Sequence, residues 1–174
     1  SACRKCNNGF SLDEEYLACL LECIIAGDTA PENLDRAKIA RILQDNSSLS
    51  VRLQRARTDG AEGPVWAAES DRVSRVVLKL ARCHAAFDLN EPQLDEPSHL
   101  GIKPLPLMTQ DEREAFERDD DAFGIWPEVG SRALQRVLVA GTDAFAGGWV
   151  TVQEGNYRFR TSQGNGLTVK IVDR

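Results

Sequence analysis

The apolar residues of this chain change their repeat once along its length, and that change limits the fold more than any other feature. Up to about residue 87 they recur at three- and four-residue intervals, the spacing that places side chains on one face of a helix. From Trp149 onward they alternate with a period of two: Trp149–Gln153, Tyr157–Thr161 and Leu167–Val172 are separated by Glu154-Gly155-Asn156 and by Gln163-Gly164-Asn165-Gly166. Alternation broken by short Gly/Asn turns describes antiparallel strands joined as a meander. Helices first and a small antiparallel sheet last give an α+β fold, an N-terminal helical region followed by a small antiparallel β-meander. We divide the chain accordingly into residues 1–27, a helical region 28–97, and an α+β region 98–174.

Local signals refine this outline. Ser11-Leu12-Asp13-Glu14 has the S-x-x-E capping pattern, which starts a helix at about Leu12, and Gly27 is its stop. Thr29 and Pro31 restart a helix through about Leu43, and a shorter helical piece follows through Val51 and Leu53. Gly60–Pro64 breaks the pattern. Ser70 then caps an amphipathic helix whose core positions are Val73, Val76, Val77, Leu80, His84 and Phe87. Four prolines, several acids and Gly101 between Asp88 and Met108 deny regular structure. Thr109-Gln110-Asp111-Glu112 repeats the capping pattern and opens a short acidic helix. Leu134–Ala140 is compatible with a further strand or with a helix.

Composition narrows the function. With 21 Lys+Arg against 27 Asp+Glu the net charge is −6, so the chain as a whole does not attract a phosphate backbone and any nucleic-acid surface is local. No apolar run has the 18 or more residues of a membrane span. The absence of Met at Ser1 leads us to expect natural sequence upstream. Five cysteines, four of them grouped as Cys3/Cys6 and Cys19/Cys23, suit metal ligation or buried thiols better than a secreted disulfide framework, which favours the cytoplasm.

Cys3-Arg4-Lys5-Cys6 places two thiolates at two corners of a tetrahedral zinc, and Asn7 follows at once. Three readings stand: half of a zinc site; a full site Cys3-x2-Cys6-x12-Cys19-x3-Cys23 with the spacing of a classical zinc finger; or free thiols. The motif resembles the closing half of the four-cysteine HNH endonuclease module. There a first C-x-x-C and an Asp-His or Glu-His pair precede a second C-x-x-C followed by Asn or His. More widely, C-x-x-C-N-N-x-F-S-x-D-E-E-Y, with Trp126–Arg132 and Gly148–Arg158, is similar to bacterial HNH-like proteins of uncharacterised role.

The resemblance implies that Cys3 and Cys6 ligate a structural zinc and that Asn7 is a ligand to a catalytic divalent metal such as magnesium or manganese. It supplies no general base, since His84 and His99 both lie far downstream of the position the family uses. Phe10 stands where many members carry Lys. The chain alone is expected to be inactive, with little order before Ser11. The alternative is a non-enzymatic, zinc-associated binding or scaffold domain.

Two cationic stripes are candidates for contact with DNA. Arg72, Arg75, Lys79 and Arg82 recur at helical spacing opposite Val73, Val76 and Leu80. Arg158, Arg160 and Lys170 share one face of the terminal sheet. The competing expectation is solvated faces paired with nearby acids. His84 reads as a hydrogen-bonded core histidine, and Glu128, Ser131 and Arg132 as either a small pocket or a tight corner. DNA and a second copy of the chain are the partners this reading admits; a membrane is not.

Overall fold

The computed structural model describes residues 4–61, 63–118, 128–140, 148–163 and 166–173, with backbone alone for residues 4–10, 106 and 140. The fold is α+β, with helices followed by strands. The chain divides into two compact units, Ser1–Val77 and Leu78–Arg174.

In the first unit α1 spans Arg4–Ala26, α2 Ala37–Asp45 and α3 Ser47–Ala56. The first helix starts at Arg4, not at Leu12, and the stretch before Ser11 is helical. Ser11 is therefore an interior residue. A capping pattern acts only where the chain enters a helix from outside, and nothing between Arg4 and Ser11 prevents helical backbone. Gly27, at φ +68°, ends α1 as expected, because a residue without Cβ adopts the left-handed conformation freely.

The helix expected from Thr29 is split into a 3₁₀ turn at Pro31–Asn33 and α2. The buried Glu22 carboxylate accepts the Arg36 backbone N–H at 2.8 Å and pairs with its guanidinium at 3.0 Å. This holds Arg36 in extended backbone, so the helix restarts only at Ala37. Asn46 caps α3 by accepting the Leu49 N–H at 3.1 Å.

Tyr16, Cys19, Leu20 and Cys23 of α1 meet Ile39 and Leu43 of α2 and Leu49 and Leu53 of α3 in one buried cluster, with Trp66 packed against it. An antiparallel hairpin, β1 (Arg57–Gly60) and β2 (Gly63–Trp66), pairs Gly60 with Gly63 at its turn. The sequence marked this segment only as a break. Its strands are nearly all exposed and carry no alternation to read.

The division between units falls inside α4 (Ser70–His84). The residue before Ser70 does the work assigned to the serine, since the Glu69 carbonyl accepts the Arg72 and Val73 N–H groups. Past His84 the helix widens into a π-turn over Ala85–Leu89 that ends at Asn90 in left-handed conformation. The wider turn shifts the helical register. Asp88 and Leu89 point inward, whereas Phe87, expected in the core, is 62% exposed with the Arg132 guanidinium 4.6 Å from its ring centre.

Residues 92–104 are exposed and without helix or strand, as their prolines require. The Thr109/Glu112 capping box forms as expected at the start of α5 (Gln110–Glu117). Arg132–Ala140, left open between strand and helix, is α6, because Ser131 caps it by accepting the Leu134 N–H at 3.1 Å. The meander is present as β3 (Val150–Gln153), β4 (Tyr157–Ser162) and β5 (Thr168–Asp173), antiparallel in that order. Both faces of β4 are covered: Phe159, Arg160, Thr161 and Ser162 are all buried. No helix among the described residues is long and apolar enough to cross a membrane.

Candidate functional site

Cys3 and the side chains of Cys6, Asn7 and Phe10 lie outside the described residues, but the backbone of Cys6 and Asn7 belongs to the first turn of α1. That placement decides against the finger-type site. Cys6 and Cys19 are on one uninterrupted helix thirteen positions apart, and a rise of 1.5 Å per residue separates them by about 20 Å, far beyond a shared metal ion. Cys19 and Cys23 are instead fully buried core residues.

Burial, with the neighbouring acids adding to it, pushes their thiols up to about 12 and about 11. A thiol-selective alkylating reagent is therefore expected to label exposed Cys83 in the folded protein and to reach Cys19 and Cys23 only after denaturation. Peptide mass spectrometry of the labelled sites checks this. Among the described residues no three His, Cys, Asp or Glu side chains converge as a metal cluster.

The first cationic stripe is tied into its own protein. The Asp13 carboxylate, 6% exposed, accepts from Arg75 Nε at 2.7 Å and lies 3.5 Å from Arg72 Nε, which also pairs with Glu69 at 3.1 Å. The Arg75 hydrogen bond, reinforced by both guanidinium charges, outweighs burial and holds the Asp13 carboxyl below the ordinary range. Arg82 donates to the Leu94 and Asp95 carbonyls at 3.3 and 2.8 Å, and Lys79 also has an interaction partner.

The sheet cations are engaged as well. Arg158 pairs with Glu117, Arg160 donates to the Arg118 carbonyl at 3.3 Å, and Lys170 donates to the Phe116 and Arg118 carbonyls at 3.0 and 3.3 Å. Those carbonyls end α5, where a helix leaves acceptors unsatisfied and the negative end of its dipole attracts cations. The sheet therefore clamps the C-terminus of the short acidic helix.

On the opposite face of β4, His84, Asp88, Arg136 and Tyr157 form a half-buried network around the buried Asp88 carboxylate that sequence reading did not assemble. His84 Nδ1 lies 2.9 Å from Asp88 Oδ2 and Nε2 lies 2.7 Å from Tyr157 Oη, while Arg136 donates to Asp88 Oδ1 at 2.8 Å. The Phe159 ring stacks on the imidazole with centroids 3.7 Å apart.

Burial would raise the Asp88 carboxyl, but hydrogen bonds from His84 and Arg136 overcome it and hold the group below its ordinary value. Asp88 is thus an acceptor on both oxygens. Burial, with nearby negative charge, pushes the Tyr157 phenol up to about 12, which keeps it a donor. With Asp88 an acceptor, His84 Nδ1–H donates to it, and Nε2 is engaged by the Tyr157 hydroxyl. His84 then has no spare lone pair or proton to offer a substrate or a metal, and the network joins helix to sheet as a structural bond. The spacing of His84 and Asp88, four residues apart on one helix, was the one sequence signal for it.

The Trp126–Arg132 segment does not form a pocket from its described members. Glu128 is exposed and accepts from Asn90 Nδ2 at 3.3 Å, Ser131 is spent on its cap, and Arg132 covers Phe87. Trp126 and Pro127 lie outside the described residues, and His99 is exposed. With this geometry in hand, comparison with known proteins finds no family model, no curated protein and no solved structure that matches the chain.

Proposed function

We propose that this chain is part of an HNH-type, metal-dependent endonuclease-like protein. In this reading Cys3 and Cys6 supply two thiolates to a structural zinc and Asn7 a ligand to a catalytic magnesium or manganese. Two further zinc ligands and the general base come from a complementary half-module. What supports the reading is the C-x-x-C-Asn motif together with the helical backbone that begins at Arg4, so that Asn7 lies in the first turn of a helix. Hydrolysis needs an activated water, and His84 is not available to generate one. Residues 11–173 serve substrate placement or assembly, including assembly with a second copy. The odd count of cysteines, grouped at short spacings rather than as a disulfide framework, supports a cytoplasmic setting.

A non-enzymatic scaffold is the second reading. It is favoured by the intramolecular engagement of all seven cations proposed for DNA contact. Sequence upstream of Ser1 bearing C-x-x-C and an Asp-His or Glu-His pair separates the two, and cobalt(II), a coloured substitute for zinc, tests the thiolate pair itself. Titration of the chain is expected to give thiolate-to-cobalt charge-transfer absorbance that disappears in Cys3→Ser or Cys6→Ser and persists in Cys19→Ser. Because a complete structural zinc contributes on the order of 10 kcal/mol and two thiolates far less, a chelator should leave the melting temperature unchanged. Plasmid incubated with the chain and magnesium or manganese should remain intact. Nicking that vanished on substitution of His84 or His99 would overturn the assignment.

A further inference from the structure

We propose that the cationic face of the β3–β5 sheet is a binding surface for single-stranded nucleic acid, and that α5 covers it as an internal competitor. The surface is built from Trp149, Arg158, Arg160 and Lys170. Arg160 and Lys170 face each other across β4 and β5, Arg158 shares their side of β4, and its guanidinium lies 4.5 Å from the Trp149 ring centre. Cations flanking an aromatic ring are the combination that binds unpaired strands, the cations following phosphates and the ring stacking a base; here the half-buried Trp149 ring becomes available once α5 lifts.

The groups that now occupy this surface resemble such a ligand. Carbonyl oxygens of Phe116 and Arg118 and the carboxylate of Glu117 take the positions of phosphate oxygens. The Phe116 ring, 5.7 Å from Trp149, takes the position of a base. An independent observation points the same way: among the described residues the buried Trp149 indole N–H has no hydrogen-bond partner, a donor for which a phosphate oxygen would be an acceptor.

The cover is built to lift. None of the α5 residues is fully buried, so its displacement exposes chiefly the Phe116 and Trp149 rings that meet each other. Four acids against one arginine within Gln110–Glu117 make it an electrostatic rival of a polyanion. Its capping box and the Lys103–Glu112 ion pair at 2.6 Å lie at its other end and survive release. The exposed, irregular stretch 92–104 supplies slack.

The inference rests on the reading of this chain as part of a nucleic-acid-processing protein, and it is tested on the full chain by fluorescence anisotropy of a labelled oligothymidylate. F116A/E117A is expected to bind about tenfold or more tightly than the unaltered chain. The logarithm of affinity should fall against the logarithm of salt with a slope of about −2, the value for three phosphate contacts on a single strand. Adding R158E should return binding to the starting level. If F116A/E117A loses its melting transition, E117K, which keeps Phe116 and reverses one exposed partner, carries the same expectation.

No gain in affinity by a folded variant overturns the proposal. Equally tight binding of polyglutamate also overturns it, in favour of an acidic protein partner. The cobalt absorbance of Cys3 and Cys6 is read independently, so loss of the endonuclease-like reading and loss of this one are told apart.

Discussion

Substitution of Asp88 by Ala is expected to destabilise the unit of residues 78–174 by about 2–4 kcal/mol, somewhat less than the cost of breaking a fully buried ion pair because only the carboxylate is fully buried. The carboxylate is 4% exposed, and its loss takes the acceptor from the His84 Nδ1–H and from the Arg136 guanidinium, which water partly reaches. Asp88→Asn should cost less, about 1–3 kcal/mol, because the amide keeps one acceptor but must turn its NH2 toward one of the two donors. Urea titration monitored by circular dichroism measures both.

The same residue sets an acid limit. Its folded-state carboxyl is held below the ordinary value of 3.8, so the stability it contributes is complete above that value and is lost as pH falls through the lower folded value. Asp13 gives the first unit a limit of the same sign through Arg75 and Arg72. Acid unfolding is therefore expected below about pH 4, with the Asp88→Asn variant less sensitive to acid in the second unit.

Substitution of Tyr16 by Ala is expected to cost the unit of residues 1–77 about 3–5 kcal/mol, the range for removing a buried aromatic ring. Tyr16 is fully buried among Cys19, Leu20, Leu43 and Leu53, so its removal leaves a cavity where three helices meet. Its hydroxyl also accepts the Glu69 N–H at 2.8 Å, and the Arg72 guanidinium lies 5.4 Å from its ring. Tyr16→Phe keeps the ring and loses only the acceptor, and should cost about 1 kcal/mol. A large difference between the two variants in urea midpoints assigns the stability to packing; similar losses would assign it to the hydroxyl.

Features that depend on a few neighbouring residues were legible without coordinates. The Thr109/Glu112 box, the Gly27 stop, the amphipathic repeat of α4 and the three alternating strands are set by contacts within about four residues or by turn chemistry, and a sequence states these directly. Reading failed where a distant group intervened. Glu22 broke the helix expected at Thr29 by holding Arg36, fourteen residues away. The π-turn after His84 carried Phe87 out of the core and brought Asp88 into it, because one extra residue in a turn rotates the side chains that follow by about 100°.

The cations show the division most clearly. Their helical and two-residue spacing placed Arg72, Arg75 and Arg82 on one face of α4 and Arg158, Arg160 and Lys170 on one face of the sheet. Spacing carries no information about the acceptor. Arg75 meets Asp13 across 62 residues of sequence, and Lys170 meets the Phe116 carbonyl across 54. Local chemistry determined which elements form and which charges share a face. The tertiary structure alone decided which of those charges are already satisfied, because a buried or clamped charge takes its partner from whatever element the packing brings within about 3 Å.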